Sequence, residues 1–185
     1  QAEAAIAAGV IILVLSDRQA SASRAPIPSL LALSAVHQHL VERQLRTHVA
    51  LIAEAGDPRE VHHFAALIGF GADAVCPYLA YASLRDLCEN RLYLEDQHPG
   101  EVCERFIRAV NKGLLKVMSK MGISTLQSYR GAQIFEIVGL DSRVTDQFFR
   151  GTVSRIQGIG LPEIAEEARR GHAACFTPPV AGTAD

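Results

Sequence analysis

The sequence predicts an α/β fold: a partial, barrel-like arrangement of βα units around a short parallel sheet, incomplete as a closed barrel. Three observations carry this prediction. Apolar runs rich in β-branched residues, such as Val10 to Leu15, alternate with segments whose apolar residues recur every three or four positions, the pattern of strands followed by crossover helices. Three or four such runs occur, whereas a closed barrel of this type needs eight strands. A chain of 185 residues that is 49% hydrophobic has enough apolar side chains for one well-buried core.

Val10 to Leu15 reads as the first strand, ending at Ser16 and Asp17. A loop through Pro26 and Pro28 leads to a helix from about Ser29 to Gln44, buried through Leu30, Leu33, Val36 and Leu40. The second strand, His48 to Glu54, is broken by Gly56. Asp57 is expected to cap the next helix, with Pro58 at its first position and Glu60 completing a capping-box-like pattern. Gly69 and Gly71 end that helix, and Ala72 to Val75 forms a third strand that Pro77 stops. A short helix over Ser83 to Glu89 precedes a polar stretch, Asn90 to Gly100, read as a mobile loop or insertion.

From Glu101 to Lys120 the apolar positions Val102, Phe106, Val110, Leu114 and Val117 step by three or four residues, giving the longest helix. Beyond it the pattern predicts a short strand at Ile123 to Leu126, a helix over Gly131 to Val138, and a helix capped by Asp141 that runs through Phe149. Pro162 opens a charged helix ending near Arg170. Residues 1–170 are read as the ordered domain and 171–185, GHAACFTPPVAGTAD, as a flexible tail or interdomain linker. The chain opens at Gln1 in what reads as mid-helix, the expectation for a piece of something larger.

A formal charge of −2, from 18 basic and 20 acidic residues, gives no global attraction to nucleic acid. The Val10 to Leu15 run is far shorter than the roughly 20 residues that cross a bilayer, and no basic leader precedes the first apolar residues. Neither nucleic acid nor a membrane is an expected partner. Cys76, Cys88, Cys103 and Cys175 form no CxxC pair or metal-ligand spacing, so they read as reduced cytoplasmic thiols. His37 and His39 diverge by about 200° on a helix, and His62 and His63 by about 100°, so neither pair chelates one ion from its own element.

Several constellations are candidates for function. Ser16, Asp17 and Arg18 follow the first strand, where parallel sheets commonly place a site. No local histidine completes a triad with them. Glu54-Ala55-Gly56 and Gly69-Phe70-Gly71 are placed like the phosphate-holding turns of flavin barrels, but Glu54 and Asp57 put negative charge where an anion would sit. Arg105, Arg108, Lys112, Lys116 and Lys120 line one helix side, either as a solvated face or as a surface that docks an acidic partner. Around Gly122, the side chains of Ser119, Ser124, Thr125, Gln127, Ser128, Tyr129 and Arg130 crowd a polar turn that either caps helices or lines a polar passage.

Three stretches resemble a known family, in order: GVIILVLSDR (Gly9 to Arg18), REVHHFAALIGFGADAV (Arg59 to Val75) and KGLLKVMSKMGISTLQSYR (Lys112 to Arg130), the last continuing as GAQIFE. They are similar to the later part of the central domain of the large subunit of NADPH- or ferredoxin-dependent glutamate synthase, over Ala8 to about Arg170. The resemblance implies part of an enzyme that releases ammonia from glutamine and passes it through an internal tunnel to 2-oxoglutarate. It implies no cofactor in this chain, with FMN and a 3Fe-4S cluster held elsewhere in the holoenzyme.

Further implications are amidotransferase and FMN-binding domains of the same polypeptide as partners, a small subunit or ferredoxin in the holoenzyme, and a cytoplasmic or plastid-stromal location. The segment is then a connecting domain, inactive alone, in which Ser16, Asp17, Arg18, Lys120, Ser124, Thr125, Gln127 and Arg130 are the possible interdomain or tunnel-side contacts. The competing expectation is a standalone α/β module that binds phosphate or flavin.

Overall fold

The computed structural model describes residues 1–90 and 97–177. A short helix α1 (Ala2–Ala7) leads into β1 (Ile12–Ser16), followed by α2 (Ser29–Glu42), β2 (Ala50–Glu54), α3 (Val61–Gly69) and β3 (Ala74–Cys76). The three strands are parallel in the order β1-β2-β3, with Leu13 opposite Leu51 and Leu15 opposite Ala53. Leu33 and Leu40 of α2 and Leu67 of α3 close over Leu51 and Ala53, and Leu13, Leu15, Val75, Ala2 and Ile6 join the edge of this cluster. All three helices therefore lie on one face of the sheet. On the other face, Ile12 and Val14 are 51% and 54% exposed.

Beyond β3 run α4 (Tyr78–Glu89) and α5 (Pro99–Met121). Phe106 of α5 packs edge-on against Phe64 of α3 and Tyr81 of α4, at 6.0 and 6.1 Å between ring centres. After α6 (Leu126–Tyr129), a second, two-stranded parallel sheet pairs β4 (Glu136–Leu140) with β5 (Val153–Ile159) across the helix α7 (Ser142–Phe148). The last helix, α8 (Leu161–Phe176), packs on β5. Neither sheet closes, so the α/β class and the open, parallel arrangement agree with the sequence reading.

Several elements differ from expectation. The Gly131 to Val138 stretch is not a helix: Gly131 and Gln133 take φ of +70° and +55°, which break a helical path, and Glu136–Leu140 then pairs with β5. β5 itself went unread because polar and glycine residues interrupt its apolar positions. Ile123 to Leu126 is no strand: Gly122, at φ +70°, ends α5 in the left-handed conformation, and the Thr125 hydroxyl then accepts the Ser128 N–H to cap α6. Asp57 does not cap α3, whose N-terminal flank is Glu60. Its carboxylate instead takes the Ser29 N–H at 3.3 Å and the Ser29 hydroxyl at 2.7 Å, capping α2 from a distant part of the chain.

Helix α4 starts at Tyr78, directly after Pro77, and α8 continues to Phe176. The expected loop at Asn90 to Gly100 falls mainly on residues 91–96, outside the described residues, while Pro99 and Gly100 form the first turn of α5. Residues 178–185 of the expected tail also lie outside them. Asp141 does cap α7, through the Arg143 N–H at 2.8 Å.

Candidate functional site

Strand register brings Ser16, Glu54 and Cys76 side by side at the C-terminal edge of the first sheet. The Ser16 hydroxyl donates to Glu54 Oε2 at 2.6 Å and Arg18 Nε donates to Oε1 at 2.6 Å. The Ser16 bond and then the guanidinium hold the Glu54 carboxyl below the usual range. The Arg18 guanidinium also lies 4.4 Å above the Tyr78 ring centre, a cation–π arrangement. Asp17 accepts the Gly56 N–H at 3.0 Å through Oδ2, while its Oδ1 is buried without a partner. The Tyr78 hydroxyl lies close to that carboxylate without completing a hydrogen bond, and burial first and Asp17 second push it up to about 12.

At the opposite edge, Asp73 organises a second cluster. Its Oδ2 accepts the Leu51 N–H at 2.9 Å and Arg46 Nη2 at 2.8 Å, and its Oδ1 pairs with Arg130. Arg46 also donates to the Val49 and Gly71 carbonyls and to His37 Nδ1 at 3.0 Å. Burial would push Asp73 up, but the Leu51 amide and the two guanidinium groups outweigh it and hold the carboxyl low. Burial and then the same two cations push His37 down to about 4. An open cavity of about 490 Å³ sits here, lined by Arg46, His48, Asp73, Gln127 and Arg130 among others.

The expected site residues therefore divide. Ser16, Asp17 and Arg18 meet at one edge of the sheet, and Gln127 and Arg130 reach the cavity at the other. Thr125 caps α6, and Lys120 and Ser124 are exposed. Arg46 and Tyr78 were missed, as was the organising part of Asp73. Only the positions of Asp73 just before a strand and of Tyr78 just after one pointed to them.

Chemically, both clusters are braces. Among the described residues, no histidine is within hydrogen-bond reach of Ser16; its hydroxyl donates to Glu54, a carboxylate that Ser16 and Arg18 hold low and so make a weak base. The Gly56 amide is engaged by Asp17 beside Glu54, so an incoming phosphate would meet two carboxylates. Gly71, at φ +121°, leaves room for His37, to whose Nδ1 an added Cβ would come within 2.4 Å, and Gly69 leaves room in the same way for the Phe135 ring. These glycines serve close packing, and the donor set does not fit FMN. Nor do three His, Cys, Asp or Glu side chains converge on one point among the described residues, so no ligand set for a metal or iron–sulfur group forms there. No helix among them is long and apolar enough to cross a membrane.

The cationic helix face is partly self-neutralised. Arg105 pairs with Glu101 at 3.4 Å and Arg108 with Glu104 at 3.0 Å, each one turn back. Among the described residues Lys112, Lys116 and Lys120 enter no ion pair.

Known proteins are similar to this chain along most of its length. The glutamate synthase [NADPH] large chain of Bacillus subtilis is 54% identical over 173 residues, which is 93% of this chain and 11% of that protein. The glutamate synthase [NADH] of Schizosaccharomyces pombe is 49% identical over 168 residues, 91% of this chain and 8% of its own length. The ferredoxin-dependent glutamate synthase 1, chloroplastic/mitochondrial, of Arabidopsis thaliana is 43% identical over 176 residues, 90% of this chain and 11% of the relative. The chain thus spans about a tenth of the length of the curated relatives it matches. Residues 1–141 match the family described as glutamate synthase central domain, and on this match and these identities the chain belongs to the glutamate synthase central domain family.

Proposed function

We propose that this chain is a connecting segment of a glutamate synthase, which makes glutamate from glutamine and 2-oxoglutarate. It holds an amidotransferase domain and an FMN-binding domain of the same polypeptide at a fixed separation and helps enclose the path of ammonia between them. FMN, the 3Fe-4S cluster and the reducing partner, a small subunit or ferredoxin, belong to other parts of the assembly, in the cytoplasm or a plastid stroma. The observation that carries this reading is coverage: similarity runs through nine-tenths of this chain yet about a tenth of the relatives.

The local chemistry supports the reading. Glu54 and Asp73 are answered by Arg18, Arg46 and Arg130, an arrangement that stiffens strand ends. Ammonia in transit gains from walls that exclude water, because protonation would remove its nucleophilic lone pair.

The test compares the purified 185-residue chain with the full polypeptide that carries it. The full polypeptide should convert glutamine and 2-oxoglutarate to glutamate without releasing free ammonia, and the 185-residue chain should show neither glutaminase nor synthase turnover. Turnover by the short chain would overturn the reading. In the full polypeptide, Gln127→Ala and Ser16→Ala test the two sheet edges separately: free ammonia appearing with either variant places that edge beside the path, and unchanged coupling in both removes the enclosing role.

A further inference from the structure

We infer that the open edge of β1 pairs with a further parallel strand, supplied by the stretch of the same polypeptide that directly precedes α1. The inference rests on the reading of this chain as a segment of a longer glutamate synthase polypeptide.

Helix placement gives the first reason. Helices α2 and α3 each connect neighbouring parallel strands, β1 to β2 and β2 to β3, and both lie on the same face of the sheet. Such connections are right-handed almost without exception, so a row of them advances across the sheet in one direction. Helix α1 stands next in that row. Its Ala2 and Ile6 join the same core cluster, and Glu3 reaches His39 of α2 at 2.6 Å and Arg43 at 3.3 Å. A helix in that position, running straight into β1, is placed as the crossover from a strand lying beyond β1.

The state of β1 gives the second. Ile11 O accepts the Ala50 N–H and the Asp17 N–H bonds Glu54 O. Because backbone groups alternate sides along a strand, those of Ile12, Val14 and Ser16 turn toward the open edge. The core layer is also unfinished there: Leu51 and Ala53 of β2 are closed off, while Leu13 and Leu15 of β1, which face the same helices, are only half-buried. An exposed apolar edge strand of this kind is a template for pairing, and all-parallel sheets are normally enclosed. The β1 edge carries none of the usual protections, having neither lysine nor proline between Gly9 and Ser16.

The experiment is residue-resolved hydrogen–deuterium exchange on the full-length polypeptide. The Val14 and Ser16 amides should exchange about a hundredfold or more slowly than unpaired strand amides, like those of Leu13 and Leu15. Val14→Pro, which removes only an edge-facing N–H, should then lower the Tm of the full-length protein, because a truly open edge tolerates proline. Fast exchange at Val14 and Ser16 beside slow exchange at Leu13 and Leu15 would overturn the inference. So would protection that rises with protein concentration, which would assign the edge to a second copy of the chain. Either result in a preparation that makes glutamate with tight ammonia coupling would leave the parent reading standing, whereas a preparation without that activity would strike the parent reading itself.

Discussion

His37 is held among groups that all oppose its protonation except Asp73: it is largely buried, and Arg46 and Arg130 lie beside it, which together bring it down to about 4. Between that value and the ordinary histidine value of 6.5, the unfolded chain binds a proton that the folded chain refuses, so stability rises with pH across this window and falls on acidification. Allowing for partial solvent screening, the loss on going from pH 7 to pH 4 is about 1 to 2 kcal/mol. A series of Tm measurements over that range should show the decline, and His37→Gln should flatten it. A slope that survives the substitution would place the acid sensitivity elsewhere. The sequence held only part of this chemistry. It read His37 and His39 as pointing apart on one helix, but the side chains that surround His37 come from positions 46, 73 and 130, and no local pattern announces such long-range convergence. Asp57 shows the same limit: its neighbours suggest a local cap, yet Ser29 offers it a hydroxyl as well as an N–H.

Helices in this chain were legible where their apolar period was long, and misread where a few residues had to decide alone. α5 was anticipated almost to its ends because Val102, Phe106, Val110, Leu114 and Val117 step by three or four residues, and Val102 and Val110 are buried. β4 was read as a helix because Ile134, Phe135 and Val138 fit that period as well as any other, and the partner strand that decides the matter lies some fifteen residues on. Within α5, Gly113 has a purpose that period alone does not reveal: a Cβ there would come within 2.3 Å of Val61 Cγ2 on α3. In an exposed helix Gly→Ala would stabilise by about 1 kcal/mol. Here Gly113→Ala should destabilise by about 1 to 3 kcal/mol through overpacking, and adding Val61→Ala should recover most of the loss. Denaturant unfolding of the two single variants and the double variant measures that coupling, and additive effects would refute the contact.

At the scale of the molecule, the α/β class and the failure to close a barrel followed from counting apolar runs, but the division into two parallel sheets did not. The second sheet leaves Val138 and Ile156 69% and 59% exposed and opposite one another in register. A two-stranded sheet with such a face is marginal by itself. The 185-residue chain prepared alone should therefore self-associate, and Val138→Lys with Ile156→Lys should raise its soluble monomer fraction several-fold on size exclusion while changing Tm little. Unchanged association would mean that another surface drives it. The two sheets are joined by Phe70, which packs against both Phe135 and Phe149, by the Arg150 to Glu42 ion pair, and by the Ser34 hydroxyl on the Phe148 carbonyl. Ser34 is fully buried, and the acceptor it needs lies 114 residues further along the chain. At a synthesis rate of roughly 5 to 20 residues per second, about 6 to 23 s pass on the ribosome between the two. Throughout that interval the face of α2 that will meet α7 lacks its partner, so the first sheet and its helices are synthesised well before the segment that buries Ser34.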